Sequence, residues 1–293
     1  MSKPVVTVLG TGLMGAPMAQ NLLNAGYPVR VWNRSADKAL PLAGKGAEIC
    51  ASPAEAASKA DFVITMVSDG KAVADLLFQQ GVGDAMRPGT VFIDMSSIKP
   101  AEARDHAERL AETGIACLDA PVSGGTKGAE AATLAIMAGG EQEAFNRAKP
   151  VLEAMGRPVR VGPAGAGQLA KLANQAIVAS TIGVVAEAML LAEQGGANPA
   201  ALRDALRGGF ADSIILQQHG ERMTTGNFVP GGRSAIQLKD MDNILEEAAR
   251  LGLELPLSGQ MQQRYRRLVE ELDGADTDHS GIYLELKDRN RLS

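Results

Sequence analysis

Val5-Val-Thr-Val-Leu-Gly10-Thr11-Gly12-Leu13-Met14-Gly15 sets a short apolar run against three glycines at G-x-G-x-x-G spacing. The run reads as a buried strand. Met14 to Ala25 then carries apolar residues at helical spacing, and Gly26 follows as a stop. In such a strand–turn–helix unit the first glycine permits the tight turn and the second lets backbone approach a pyrophosphate. The third lets the helix pack against the strand. Free N–H groups at the helix start favour an anion there. The pattern predicts a dinucleotide site at Gly10, Gly12, Leu13, Met14 and Gly15; a tight βα turn without ligand is the alternative.

Outward from this unit the pattern repeats. Strand candidates at 29–32, 61–67, 90–94, 115–119 and 134–138 are separated mostly by helical stretches at 36–44, 53–59, 71–78 and 100–113, with another at 141–155. Such alternation implies right-handed βαβ units and a mainly parallel sheet. After about residue 163 no convincing strand remains. Helical stretches at 167–195, 199–208, 233–252, 257–273 and 279–288 are punctuated by Gly-Gly pairs. The expected fold is α/β, an N-terminal Rossmann-like doubly wound sheet (1–163) followed by an all-helical C-terminal domain (164–293) for substrate and oligomerisation.

Composition narrows the function. The 293 residues suffice for two cores, and 29 Lys+Arg against 34 Asp+Glu leave a net charge of -5. No basic excess exists to neutralise a nucleic-acid backbone, so no nucleic-acid partner is expected. Two cysteines, Cys50 and Cys117, and three widely separated histidines argue against a disulfide framework or a metal cluster. Residues 1–10 lack a leader-type apolar stretch, and 176–192 reads as a helix buried in protein rather than a membrane span. A cytoplasmic protein without membrane contact is expected. That apolar helix needs more burial than one small domain supplies, which predicts a homodimer or homotetramer with the helix near an interface. Aromatics are 3%, so the core must be aliphatic, whereas Gly10, Gly12, Gly15, Gly124, Gly125, Gly165 and Gly167 mark expected approaches of backbone to ligand.

The end of the second strand discriminates between dinucleotides. An NAD site usually places an acid about 20 residues beyond the glycine loop to accept from the ribose 2′-OH. Here the chain reads Trp32-Asn33-Arg34-Ser35, with no carboxylate until Asp37. Arginine with hydrogen-bonding neighbours suits a 2′-phosphate, so NADP(H) is favoured and NAD(H) remains the alternative.

Two further stretches carry chemistry. In Asp119-Ala-Pro-Val-Ser123-Gly124-Gly125 the consecutive N–H groups of the turn could cradle a carboxylate; an ordinary turn is the alternative. In Gly165-Ala-Gly-Gln-Leu-Ala-Lys171-Leu-Ala-Asn174-Gln175, Lys171, Asn174 and Gln175 share a helix face. Apolar flanks make a solvated lysine less natural there, and a partly desolvated lysine exchanges protons near neutrality.

Together Gly10-Thr-Gly-Leu-Met-Gly15, Asp94-Met-Ser-Ser97, Asp119-Ala-Pro-Val-Ser-Gly-Gly125, Gly165-Ala-Gly-Gln-Leu-Ala-Lys171 and Lys239-Asp240 resemble, in order and spacing, the β-hydroxyacid dehydrogenase family. The resemblance spans essentially the whole chain. It implies an NAD(P)-dependent interconversion of a small 3-hydroxyacid and its semialdehyde, with Lys171 as general acid/base. It also implies Ser123, Gly124 and Gly125 on the substrate carboxylate, and Asn174 or Gln175 as the amide beside the substrate. Met66, Val67 and Ser96 would lie along the cofactor, and Lys239 and Asp240 would close over cofactor and substrate. Two departures stand out. Gly232 lies where relatives often carry an aromatic, with Arg233 beside it as a substitute charge or a solvated residue, and Ala132 stands where glycine is common. The alternatives are an NAD-linked or imine-reducing relative, and a catalytically silent NADP-binding module. Arg203, Arg207, Arg264, Arg266 and Arg267 are expected on helix surfaces.

Overall fold

The expected strand after Val5 is β1 (Val6–Leu9), and every residue of it is buried in the computed structural model, which describes residues 3–292. Burial on both faces explains the unbroken apolar run, because helices cover both sides of a parallel sheet. The other strands are β2 (Val29–Trp32), β3 (Glu48–Ile49), β4 (Phe62–Thr65), β5 (Val91–Asp94), β6 (Ala116–Asp119), β7 (Val122–Ser123), β8 (Leu134–Gly140) and β9 (Gly156–Gly162). They form one sheet in the order β3-β2-β1-β4-β5-β6-β8-β7, with β9 paired to β8. From β3 to β6 all pairings are parallel; β8 runs antiparallel to β6 and β7. The chain reverses its direction of travel between β1 and β4. Doubly wound sheets bind ligands at the carboxyl ends of strands at this position.

Side chains alternate across the sheet as the pleat requires. Val91 and Ile93 of β5 pack with Met18, Leu22 and Leu118, whereas Phe92 packs on the opposite face with Val73 and Leu76.

Three strands lie outside the expected set. β3 and β7 have two residues each, too short for any periodicity. β9 contains Pro158 and glycine at both ends, features that demote a run in sequence, yet it pairs in parallel along β8. Pro158 is tolerated because β9 is an edge strand.

The chain divides into two compact units, ending and beginning at Lys171 and Leu172. The second is helical: the long helix Ala166–Gln194 continues into it, followed by Pro199–Ala205, Ile214–Thr225, Ser234–Arg250, Pro256–Glu270 and Ile282–Arg289. Beyond Gly162 the only β pairing among the described residues is a single bridge between Arg233 and Asp278. The helix Ile214–Thr225 escapes periodicity because it buries only Leu216, Gly220 and Met223, but Ser213 caps it by accepting the Leu216 N–H at 2.9 Å. The core is aliphatic apart from Tyr265 and Tyr283, with Ile182, Met189, Met241 and Ile282 among its residues. The long helix is long and apolar enough to cross a membrane, and 44% of its most apolar window is buried within the protein.

Candidate active site

Two of the three loop glycines answer to the fold itself. A Cβ on Gly10 would stand 2.3 Å from the Met66 carbonyl oxygen, and one on Gly15 would stand 1.9 Å from that of Gly10. Gly12 is different: a Cβ there meets nothing within 4 Å. Its bareness is not demanded by packing and leaves the backbone open to a ligand. The helix Gly15–Asn24 has no side-chain cap and no acid in its first turn. The N–H groups of Gly12, Leu13 and Met14 find no acceptor among the described residues. An uncapped, solvent-facing helix start is the environment a pyrophosphate requires, so this loop fits the dinucleotide.

Asn33, Arg34 and Ser35 separate into two roles. The Asn33 side chain accepts the Thr11 N–H at 2.9 Å and donates to the Ser35 carbonyl at 2.9 Å, tying the glycine loop to the end of β2. Its amide thus positions the loop. Arg34 and Ser35 are exposed, and Arg34 has no ion pair with any described residue.

At the carboxyl ends of β4, β5 and β6 a buried polar network joins the remaining segments of this unit. Asp94 Oδ1 accepts the Thr65 hydroxyl and the Ser96 N–H, both at 2.9 Å. The Ser96 hydroxyl accepts the Val67 N–H at 3.0 Å, which fixes the Met66–Val67 edge. Burial pushes the Asp94 carboxyl up to about 6; its hydrogen bonds from Ser96 and Thr65 oppose this, and the nearby Asp119 charge adds to it. Asp119 is likewise raised by burial, although N–H groups of Gln168, Gly165 and Gly167 hold its charged form.

Those N–H groups belong to the start of the long helix, so Asp119 caps the helix that carries Lys171. Gly167 is required by this docking: a Cβ there would lie 2.2 Å from the Asp119 carbonyl and 2.4 Å from that of Met137. Gly10, Gly15 and Gly167 are thus each demanded by neighbouring backbone. A Cβ on Gly165 would likewise stand 3.0 Å from Arg104 and from the Pro100 carbonyl. Lys171 itself is half-buried.

Ser123 ends β7, half-buried beside β8. Gly124 and Gly125 follow with φ of 138° and 60°, conformations that side chains rarely adopt. Both are exposed and open the helix Gly125–Glu130, which has no side-chain cap. Their N–H groups suit a carboxylate.

In the second unit, Asn174 donates to Gln175 Oε1 at 2.9 Å and Gln175 donates to Asp240 Oδ2 at 2.6 Å. Lys239 pairs with Asp240 Oδ1 at 3.3 Å. Asp240 is 6% exposed, so this chain of contacts keeps a buried carboxylate satisfied. Gln175 is engaged through both ends of its amide, whereas the Asn174 carbonyl oxygen accepts from no donor among the described residues.

Tertiary structure brings together residues that the sequence keeps apart. His219, Asp278 and His279 place their ligating atoms within 4.8 Å of one another, although the sequence sets the histidines widely apart. Asp278 Oδ1 accepts the Ser280 N–H at 3.0 Å and hydroxyl at 2.6 Å, while Oδ2 accepts the N–H groups of Gly231 and Gly232 at 2.8 and 3.2 Å. Oδ2 is thereby committed to holding the 231–232 turn and Oδ1 to Ser280. Burial would raise Asp278, but the His219 ring and these Ser280 bonds outweigh it and hold the carboxyl far below the usual range. Burial, with His219 beside it, lowers His279 to about 4. The His279 ring lies 3.4 Å from where a Gly232 Cβ would project, so it occupies the space beside that glycine. Arg233 is exposed and pairs with Asp276 at 3.1 Å. Arg264 is buried, contrary to expectation, and binds Glu285 at 2.9 Å within the helical core.

The roles of Asp94, Asp119 and Gln168 were not apparent in the sequence, although all three stand inside the quoted motifs. Their signal was polarity at strand ends and in an otherwise apolar first helical turn.

Comparison with known proteins agrees with this arrangement. A family profile for the NAD-binding domain of 6-phosphogluconate dehydrogenase matches residues 5–165. One described as NAD-binding of NADP-dependent 3-hydroxyisobutyrate dehydrogenase matches residues 165–286. The 2-hydroxy-3-oxopropionate reductase of Escherichia coli K12 is 40% identical over 291 residues, covering 97% of this chain and 98% of that enzyme. The structure of Mycobacterium tuberculosis 3-hydroxyisobutyrate dehydrogenase with L-serine superposes with a TM-score of 0.89 at 35% identity, over 97% of this chain and 99% of that one. A Salmonella typhimurium 3-hydroxyisobutyrate dehydrogenase gives 0.86 at 27% identity, over 96% and 99%. With both units matched and the motifs in place, the chain belongs to the β-hydroxyacid dehydrogenase family of NAD(P)-dependent oxidoreductases.

Proposed function

We propose that this enzyme is an NADP(H)-preferring reductase of small semialdehyde acids, with 2-hydroxy-3-oxopropionate (tartronate semialdehyde) as its substrate. The observation that carries the chemistry is the half-buried Lys171 on a helix whose start is capped by Asp119. The substrate assignment is supported by the 40% identity to the Escherichia coli reductase. Lys171-Leu-Ala-Asn-Gln175 and Arg207-Gly-Gly209 also resemble stretches of tartronate semialdehyde reductases.

Gly12, Leu13, Met14 and the start of the following helix would hold the pyrophosphate, with Arg34 and Ser35 at the 2′-phosphate. Met66, Val67 and Ser96 would line the nicotinamide end. When bound, the dinucleotide supplies the hydride. The N–H groups of Ser123, Gly124 and Gly125 hold the substrate carboxylate, and Asn174 offers its remaining amide capacity to the substrate. Lys171 Nζ gives its proton to the carbonyl oxygen as that oxygen gains charge, and takes one back in the reverse direction. Lys239 and Asp240 support the amide pair. The protein is proposed to be cytoplasmic and to act as a homodimer or homotetramer.

The test is turnover of 2-hydroxy-3-oxopropionate and other three- and four-carbon semialdehyde acids, read by NADPH and NADH absorbance. Activity on that substrate, abolished in Lys171→Ala, is expected. No cofactor oxidation across the panel would overturn the proposal. Preference for methylmalonate semialdehyde would favour a 3-hydroxyisobutyrate dehydrogenase, the second reading, which the 35% identity to the Mycobacterium tuberculosis enzyme supports.

A further inference from the structure

Gln168 is 1% exposed and stands one helical turn before Lys171. Its main-chain N–H donates to Asp119 Oδ2 at 2.8 Å. Its side chain uses both ends of the amide: Oε1 accepts the Ile98 N–H at 3.1 Å, and Nε2 donates to the Ser96 carbonyl at 2.8 Å. Ser96 in turn donates its N–H to Asp94 and accepts from Val67. One residue thus joins the first turn of the long helix to the carboxyl ends of β4, β5 and β6.

We propose that Gln168 is a positioning residue for the reaction, clamping the helix that bears Lys171 at a set distance from the Ser96 and Val67 segment. The proposal rests on the reading of Lys171 as the proton donor. A lysine stem is flexible, so the place of its ammonium depends on how well its backbone origin is held. The segment after β5 presents one donor and one acceptor, Ile98 N–H and Ser96 C=O. Gln168 supplies the complementary acceptor and donor at full side-chain length. Methionine preserves the shape and supplies neither. Glutamate supplies both only when protonated, and burial beside the Asp94 and Asp119 carboxyls favours that form toward acid pH.

The experiment compares full-length wild type with Gln168→Met, Gln168→Glu and Lys171→Met, using NADPH and 2-hydroxy-3-oxopropionate or whichever semialdehyde acid wild type reduces. At 25 °C Gln168→Met is expected to lower kcat by about 10–100-fold while the KM for NADPH changes by less than about threefold. Gln168→Glu should recover toward wild type when the pH falls from 8 to 5.5, as a ratio to wild type at each pH. A kcat for Gln168→Met within about twofold of wild type overturns the clamp. If Gln168→Met does not fold, the absence of recovery in Gln168→Glu at acid pH overturns it instead. Loss of activity in Lys171→Met alone leaves the lysine reading intact and removes the clamp; full activity in Lys171→Met removes both.

Discussion

Asp119 accepts the Gln168 N–H at 2.8 Å with one carboxylate oxygen and the Gly165 N–H at 2.8 Å with the other, so the end of β6 caps the helix that carries Lys171. Asp119→Asn replaces one acceptor oxygen with a donor that faces an N–H. It should cost about 1–3 kcal/mol, because a buried backbone donor is left unmade. Urea unfolding reads the loss; an unchanged midpoint would show the cap to be dispensable.

Asp94 gives a pH signature of defined sign. Burial raises its carboxyl from the ordinary 3.8 to about 6, so the folded protein binds this proton more tightly than the unfolded chain. Its stabilising contribution is fully present below about 3.8 and is lost as pH rises through about 6. Asp94→Asn should therefore be more stable than wild type at pH 8, by about 1–3 kcal/mol, with the gain vanishing near pH 4. Thermal denaturation across that range measures it. A gain that grows toward acid pH would refute the assignment.

Asn33 and Arg34 are expected to behave differently. Arg34→Ala should raise the KM for NADPH by about 10-fold or more and leave that for NADH nearly unchanged, since only the 2′-phosphate is affected. Asn33→Ala releases the Thr11 N–H and should weaken both cofactors. Equal effects of Arg34→Ala on the two would place the 2′-phosphate elsewhere.

Ala132 holds φ of 55°, a left-handed conformation that its Cβ disfavours. Glycine there should stabilise the protein by about 1 kcal/mol, visible as a rise of about 2–4 °C in Tm. A fall in Tm would mean that the Ala132 methyl makes compensating contacts.

Ile177, Val184 and Leu191 recur every seventh residue of the long helix and are 66%, 65% and 77% exposed. Such a stripe matches the proposed subunit contact. Sedimentation should give two or four times the 30.5 kDa chain mass, and Val184→Glu should lower it. A wild-type monomer at micromolar concentration would rule out the contact.

Residue order by itself determined the alternation of strands and helices, the glycine loop, the missing acid after β2 and the lysine with its two amides. These are local: period, turn chemistry and motif spacing act within a few residues. Tertiary structure decided what no local pattern encodes. It showed Gly12 to be the loop glycine left open and Asn33 to be a brace. It seated His219 against Asp278 and His279, buried Arg264 on Glu285, and joined Asp94, Asp119 and Gln168 into one network. The physical reason is that a buried polar group must find its partner wherever the fold places one, and such partners stand up to 108 residues apart among the described residues.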